Sequence, residues 1–183
     1  MKRSEQIDRI PFEKGRDSSL DDGLVLWEGS TSPVVACVGN FPTVDDVFNV
    51  QPFTGEEGDL VKTALHQAGF RRSEVYFTNL LKYRPKKDHF RKAYAKAFLP
   101  YLRRELAIVR PQVVIAFGTD VNRFLLDEPD LRIKDHVGEF FSNVQGIAAD
   151  VLAVYHPSYV LRTGGKRSRL FSEMVDHFKQ IEK

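Results

Sequence analysis

The chain has 183 residues, 42% of them hydrophobic, and a formal charge of +2. That length suits one domain with a real core, and no apolar run approaches the roughly 18 residues a membrane-spanning helix needs. Its single cysteine, Cys37, says nothing about disulfides and fits a reducing compartment, and it excludes a metal cluster held by cysteines of this chain alone.

Charge is unevenly spread. Residues 82–96 carry seven basic side chains against Asp88, and residues 162–169 carry four with no acid, whereas residues 1–30 are net acidic. Two basic patches on a near-neutral chain suggest a polyanion met on one face.

In chain order, residues 1–30 lack periodicity and read as a partly ordered lead-in with one short strand over 24–27. Residues 31–183 read as the folded domain. Residues 34–38 form a continuous apolar run of strand length that ends at Gly39-Asn40-Phe41-Pro42. Thr54 and Glu57 have the spacing of a capping box, Leu60, Val61, Ala64, Leu65 and Ala68 then share a helical face, and Gly69 supplies the stop. A strand over 75–77 runs into Thr78-Asn79. A helix is expected over 91–110, kinked or divided at Pro100.

The run 113–117 is a further strand, and Thr119 or Asp120 is placed to cap a short helix ending at Leu126. Residues 127–138 read as loop, and 139–144 and 151–155 as strands. The last of these leads into His156-Pro157-Ser158-Tyr159, with 159–164 as loop. Leu170, Phe171, Met174, Val175, Phe178 and Ile181 stripe a closing helix over 166–181. Strands alternating with helices predict an α/β fold whose parallel sheet is covered on both faces. In such sheets ligands bind beyond the carboxyl ends of the strands, so Asn40, Asn79 and His156 should meet in one cleft.

Five blocks then match a known family. They are Gly39-Asn40-Phe41-Pro42-Thr43, Pro52-Phe53-Thr54-Gly55, Thr78-Asn79-Leu80-Leu81-Lys82-Tyr83-Arg84-Pro85, Pro100-Tyr101-Leu102 with Arg110-Pro111-Gln112-Val113 through Gly118, and His156-Pro157-Ser158-Tyr159-Val160-Leu161-Arg162. In order and spacing the chain resembles the uracil-DNA glycosylase superfamily, closest to its iron–sulfur, thermophile-type branch. The resemblance implies a three-layer α/β/α sandwich with a central, mainly parallel four-stranded sheet. It departs from that branch in two ways. The cluster cysteines fall at Tyr83 and Phe98 and the paired N-terminal cysteines are missing, so aromatic packing is expected in place of a cluster and no cofactor or metal is expected. The first motif's glutamate is Asn40, and Phe41 stands where other branches place an aspartate or asparagine.

The implied reaction is hydrolysis of the N-glycosidic bond of uracil, or a related base, flipped out of DNA. Phe53 would stack on the base and Asn79 would read its O4 and N3–H edge, with Gly39 and Phe41 completing the substrate site. His156 would stabilise charge on O2 of the leaving base, and Asn40 would position the water, although a carboxamide cannot take its proton. The reaction should then be slow unless Asp45 or Asp46 supplies the charge from the same loop, although both read first as solvated loop acids. Lys82, Arg84, Ser158 and Arg162 would contact phosphates, and Leu161 or a neighbour would wedge into the vacated stack.

The expected partner is uracil-containing DNA, single- or double-stranded, met by a monomer inside the cell, near the nucleoid or in host cytoplasm if viral, a source its compactness fits. The alternative is a weakly active or inactive base-binding module of the same fold, working beside replication or repair proteins. An unrelated small nucleotide-binding enzyme has no Gly-rich phosphate fingerprint to support it.

Overall fold

The computed structural model describes residues 2–9 and 20–182, so the middle of the expected lead-in lies outside the described residues. The helices are α1 (Arg3–Asp8), α2 (Val44–Asn49), α3 (Gly55–Gln67), α4 (Lys92–Val109), α5 (Gly118–Leu126), α6 (Pro157–Arg162) and α7 (Arg169–Lys179). The strands are β1 (Leu20–Leu24), β2 (Trp27–Gly29), β3 (Val35–Gly39), β4 (Val75–Asn79), β5 (Tyr83–Pro85), β6 (Val113–Phe117), β7 (Phe140–Phe141) and β8 (Asp150–Val154).

Four strands, β4-β3-β6-β8, form a parallel centre, as the pattern of continuous apolar runs implied. The sheet is wider than expected, because short antiparallel strands close it at both margins and give the order β2-β4-β3-β6-β8-β7. Side chains alternate between two cores. Ala36, Val38, Tyr76, Val114, Ala116 and Val151 face α1, α4 and α5, whereas Cys37, Phe77, Ile115, Phe117, Leu152 and Val154 face α3, α6 and α7. The result is a three-layer α/β/α sandwich.

Several expected elements fall elsewhere. The strand read over 24–27 straddles the break between β1 and β2. The run 139–144 contributes only the two residues of β7. Pro100 does not divide α4, which runs unbroken from Lys92 to Val109 with the proline on its exposed side. Thr119 and Asp120 cap nothing. β6 passes directly into α5 at Gly118, which has φ +84°, and a side chain there would press within 3.1 Å of the His156 Cβ.

The closing helix begins at Ser168, whose hydroxyl accepts from the Phe171 N–H. Residues 157–162 form α6 rather than loop. Asp45 and Asp46 belong to α2, with Asp46 buried rather than solvated.

The positions given to cluster cysteines do not suit a cluster. Tyr83 and Phe98 meet edge-on with centroids 6.2 Å apart, and Phe98 also packs on Tyr101. Cys37 is buried within β3, in the opposite core. Rings fill this part of the molecule, and neither position offers a thiolate.

Candidate active site

The carboxyl ends of the parallel strands converge as the topology demands. Gly39 of β3 pairs with Asn79 of β4, and the backbone continues the ladder beyond them, with Leu80 N–H bonded to the Gly39 carbonyl at 2.8 Å and Leu81 N–H to the Asn40 carbonyl at 3.0 Å. Phe117 ends β6, and His156 follows β8. Gly39, Asn40, Phe41, Phe53, Asn79, Phe117 and His156 all line one slot, which opens beside a cleft of about 790 Å³ lined by Asn40, Phe41, Glu57, Arg84, His156, Ser158 and Arg162 among others. At about 20 Å³ the slot holds a single water, so a pyrimidine enters only as its walls give.

Each wall has a local cause. A Cβ on Gly39 would lie 2.3 Å from the Asn79 Oδ1, so only glycine leaves that carboxamide in place. Asn79 is 3% exposed, and its Nδ2 has no hydrogen-bond partner. The Oδ1 of Asn40 is likewise buried and unmatched. Unpaired buried polar atoms are costly, on the order of 1–3 kcal/mol each, and are rare in native folds. Here a donor and an acceptor are stranded on the walls of the same slot. Phe53 sits at φ +57°, a region bulky residues seldom occupy, with its ring held against Phe77 and Phe117 at centroid distances of 5.3 and 5.7 Å.

His156 is the N-cap of α6, and Pro157 takes the first helical position. Its Nδ1 accepts from the Ser158 backbone N–H at 3.3 Å and lies 2.8 Å from the Ser158 hydroxyl. A backbone N–H only donates, so Nδ1 is unprotonated and the ring's proton rests on Nε2. Burial, reinforced by the Arg162 charge, pushes the imidazole pKa down to about 4. The residue is therefore a neutral N–H donor at physiological pH.

The expected phosphate contacts divide. Arg84 and Arg162 line the cleft, with Arg84 paired to Asp88 at 2.9 Å. Ser158 also lines it, but its hydroxyl is turned to His156. Lys82, expected at a phosphate, is instead 0% exposed, with its ammonium 2.6 Å from the Glu105 carboxylate and also bonded to Thr78. Glu105 in turn accepts from the Tyr76 hydroxyl at 2.6 Å and from Thr78 at 2.9 Å. Lys82 belongs to a core network and cannot reach a phosphate. The exposed cations of that segment are Lys86, Lys87, Arg91, Lys92 and Lys96.

Sequence reasoning did not place the acids of the cleft together, giving Glu57 and Asp120 to caps and Asp45 to a loop. Asp45, Glu56, Glu57, Asp88 and Asp120 line it against two guanidiniums. The Thr54–Glu57 capping box does not form. Asp46 takes its place, receiving the Thr54 N–H at 2.7 Å and the Thr54 hydroxyl at 2.8 Å, while also closing a true capping box with Thr43. Glu57, released from that role, lines both slot and cleft with a carboxylate oxygen 3.9 Å from the His156 Nδ1. Burial, then the nearby Asp46 charge, raises its pKa against the opposing pull of Arg162.

The family model described as the uracil DNA glycosylase superfamily matches residues 26–179. The chain is 33% identical to the type-4 uracil-DNA glycosylase of Archaeoglobus fulgidus, over 84% of this chain and 77% of that protein. It is 28% identical to the type-4 enzyme of Pyrobaculum aerophilum, over 93% of this chain and 87% of that one. With the corresponding Thermotoga maritima protein it shares 28% identity, over 87% and 83%.

Proposed function

The chain belongs to the uracil-DNA glycosylase superfamily, and we propose that it hydrolyses the N-glycosidic bond of uracil extruded from DNA into the slot between β3, β4 and α6. The observation that carries this reading is the pair of stranded groups, Asn79 Nδ2 and Asn40 Oδ1, on the same slot as a neutral His156. A uracil edge offers the acceptor that Asn79 lacks. A water held at Asn40 offers the missing donor. Phe53 gives the base a ring to lie against.

In the reaction the C1′–N1 bond breaks with its electron pair on the base, and charge gathers at O2. The Nε2–H of His156 meets that charge, and a preorganised donor of this kind lowers a barrier by about 3 kcal/mol. Arg84 and Arg162 hold the flanking phosphates, fixing the strand without reading its sequence.

The test is incubation with a uracil-containing oligonucleotide followed by alkaline cleavage. Abasic product from the wild-type chain that disappears in His156→Ala supports the reading. Tight binding without product would instead make the protein a base-binding module, an outcome Asn40 makes worth measuring, because a carboxamide cannot accept a proton from water.

A further inference from the structure

Asn40 leaves the proposed reaction without a proton acceptor at the strand end, where the family resemblance implies a glutamate. Two carboxylates line the slot, Asp46 and Glu57. Asp46 is committed, since its oxygens receive the Thr43 and Thr54 N–H groups and the Thr54 hydroxyl, and it is 3% exposed. Glu57 receives no hydrogen bond from any described protein donor. It stands in the first turn of α3, beside Asn40 and His156 on the slot wall and open to the cleft. The remaining acids of the cleft, Asp45, Glu56, Asp88 and Asp120, do not line the slot.

We propose that Glu57 supplies the carboxylate of this active site, accepting the proton of a water that Asn40 orients. This rests on the glycosidase reading above. As the water oxygen bonds to C1′ and the C1′–N1 pair departs on the base, one water proton passes to Glu57 and then to solvent. The base anion, held at O2 by His156, takes a proton from solvent, so atoms and charge balance. The carboxylate of this site thus stands at a helix start rather than at the strand end. Asp46 makes this possible by taking over the backbone group that Glu57 would otherwise cap.

Burial that raises the Glu57 pKa also makes it a stronger base than an exposed glutamate and moves the acid limb of activity upward from that of an exposed glutamate. His156, Arg162, Asp46 and Asp88 act on the same carboxylate, Asp46 and Asp88 raising its pKa and Arg162 lowering it, while His156 stays neutral down to about pH 4.

The experiment is single-turnover base release from uracil-containing DNA across pH by the wild type, E57Q, N40E/E57Q and H156A, with DNA affinity and melting temperature measured alongside. Expected for E57Q is a fall in rate of roughly 10²–10⁴-fold, loss of the acid limb, undiminished DNA affinity and a melting temperature at or above wild type. N40E/E57Q is expected to regain rate, because either position faces the same slot. An E57Q protein that keeps the wild-type rate and limb overturns this proposal alone, provided H156A shows its expected loss of about 10²–10³-fold. A wild-type chain that binds DNA and releases no base overturns the glycosidase reading as well.

Discussion

Ser158 donates its backbone N–H to the ring nitrogen of His156, two residues earlier, and its hydroxyl reinforces the contact at 2.8 Å. One short turn thereby sets the imidazole's tautomer and its orientation together.

His156→Ala should lower single-turnover base release by about 10²–10³-fold. In the wild type the His156 ring proton signals should not titrate between about pH 5 and 8, because its pKa lies near 4. The stability consequence has a definite sign. Between about 4 and the unfolded value of 6.5 the unfolded chain binds a proton that the native chain does not, so stability falls as pH drops through that window. Melting temperatures recorded from pH 7 to 4 should decline less for His156→Ala than for the wild type.

Asn79→Leu removes the stranded carboxamide at similar volume. It should preserve or raise the melting temperature, since an unmatched buried donor disappears. It should also weaken uracil recognition by about 1–3 kcal/mol, because the base edge then enters the slot unpaired. Steady-state discrimination between uracil- and cytosine-containing strands is the measurement.

Lys82→Ala should destabilise the fold by about 3–5 kcal/mol, because the Glu105 carboxylate is left buried without its partner. Replacing both, Lys82→Met with Glu105→Leu, should recover much of that loss in chemical denaturation. The double variant should keep the wild-type salt dependence of DNA binding. Arg162→Ala, on the exposed end of α6, should instead flatten the slope of log affinity against log salt by about one.

Phe98→Ala should cost about 3–5 kcal/mol through the cavity opened against Tyr83 and Tyr101. Iron chelation should leave both melting temperature and base release of the wild type unchanged. Calorimetry with and without chelator reads the two effects separately.

The central strands were legible because β3, β4, β6 and β8 are buried on both faces and spell continuous apolar runs. The convergence of Asn40, Asn79 and His156 followed from chain direction alone. What misled was chemistry decided by distant partners. Lys82 reads as surface charge until Glu105, 23 residues on, turns inward to meet it. Glu57 reads as a cap until Asp46, arriving from another helix, takes the Thr54 N–H.

The helix that carries Asp46 hid itself as well. Helix α2 exposes Val44 and Phe48, at 61% and 86%, so it shows no buried stripe. Its one usable signal was the Thr43–Asp46 spacing, an Asp version of the capping box.

The two margins of the main sheet are three and two residues long, β2 and β7, and each runs against its neighbour. A strand arriving from another molecule would find too short a run of open amides and carbonyls to zip onto. At high concentration the folded chain thereby withholds the seam along which β-rich proteins most readily polymerise.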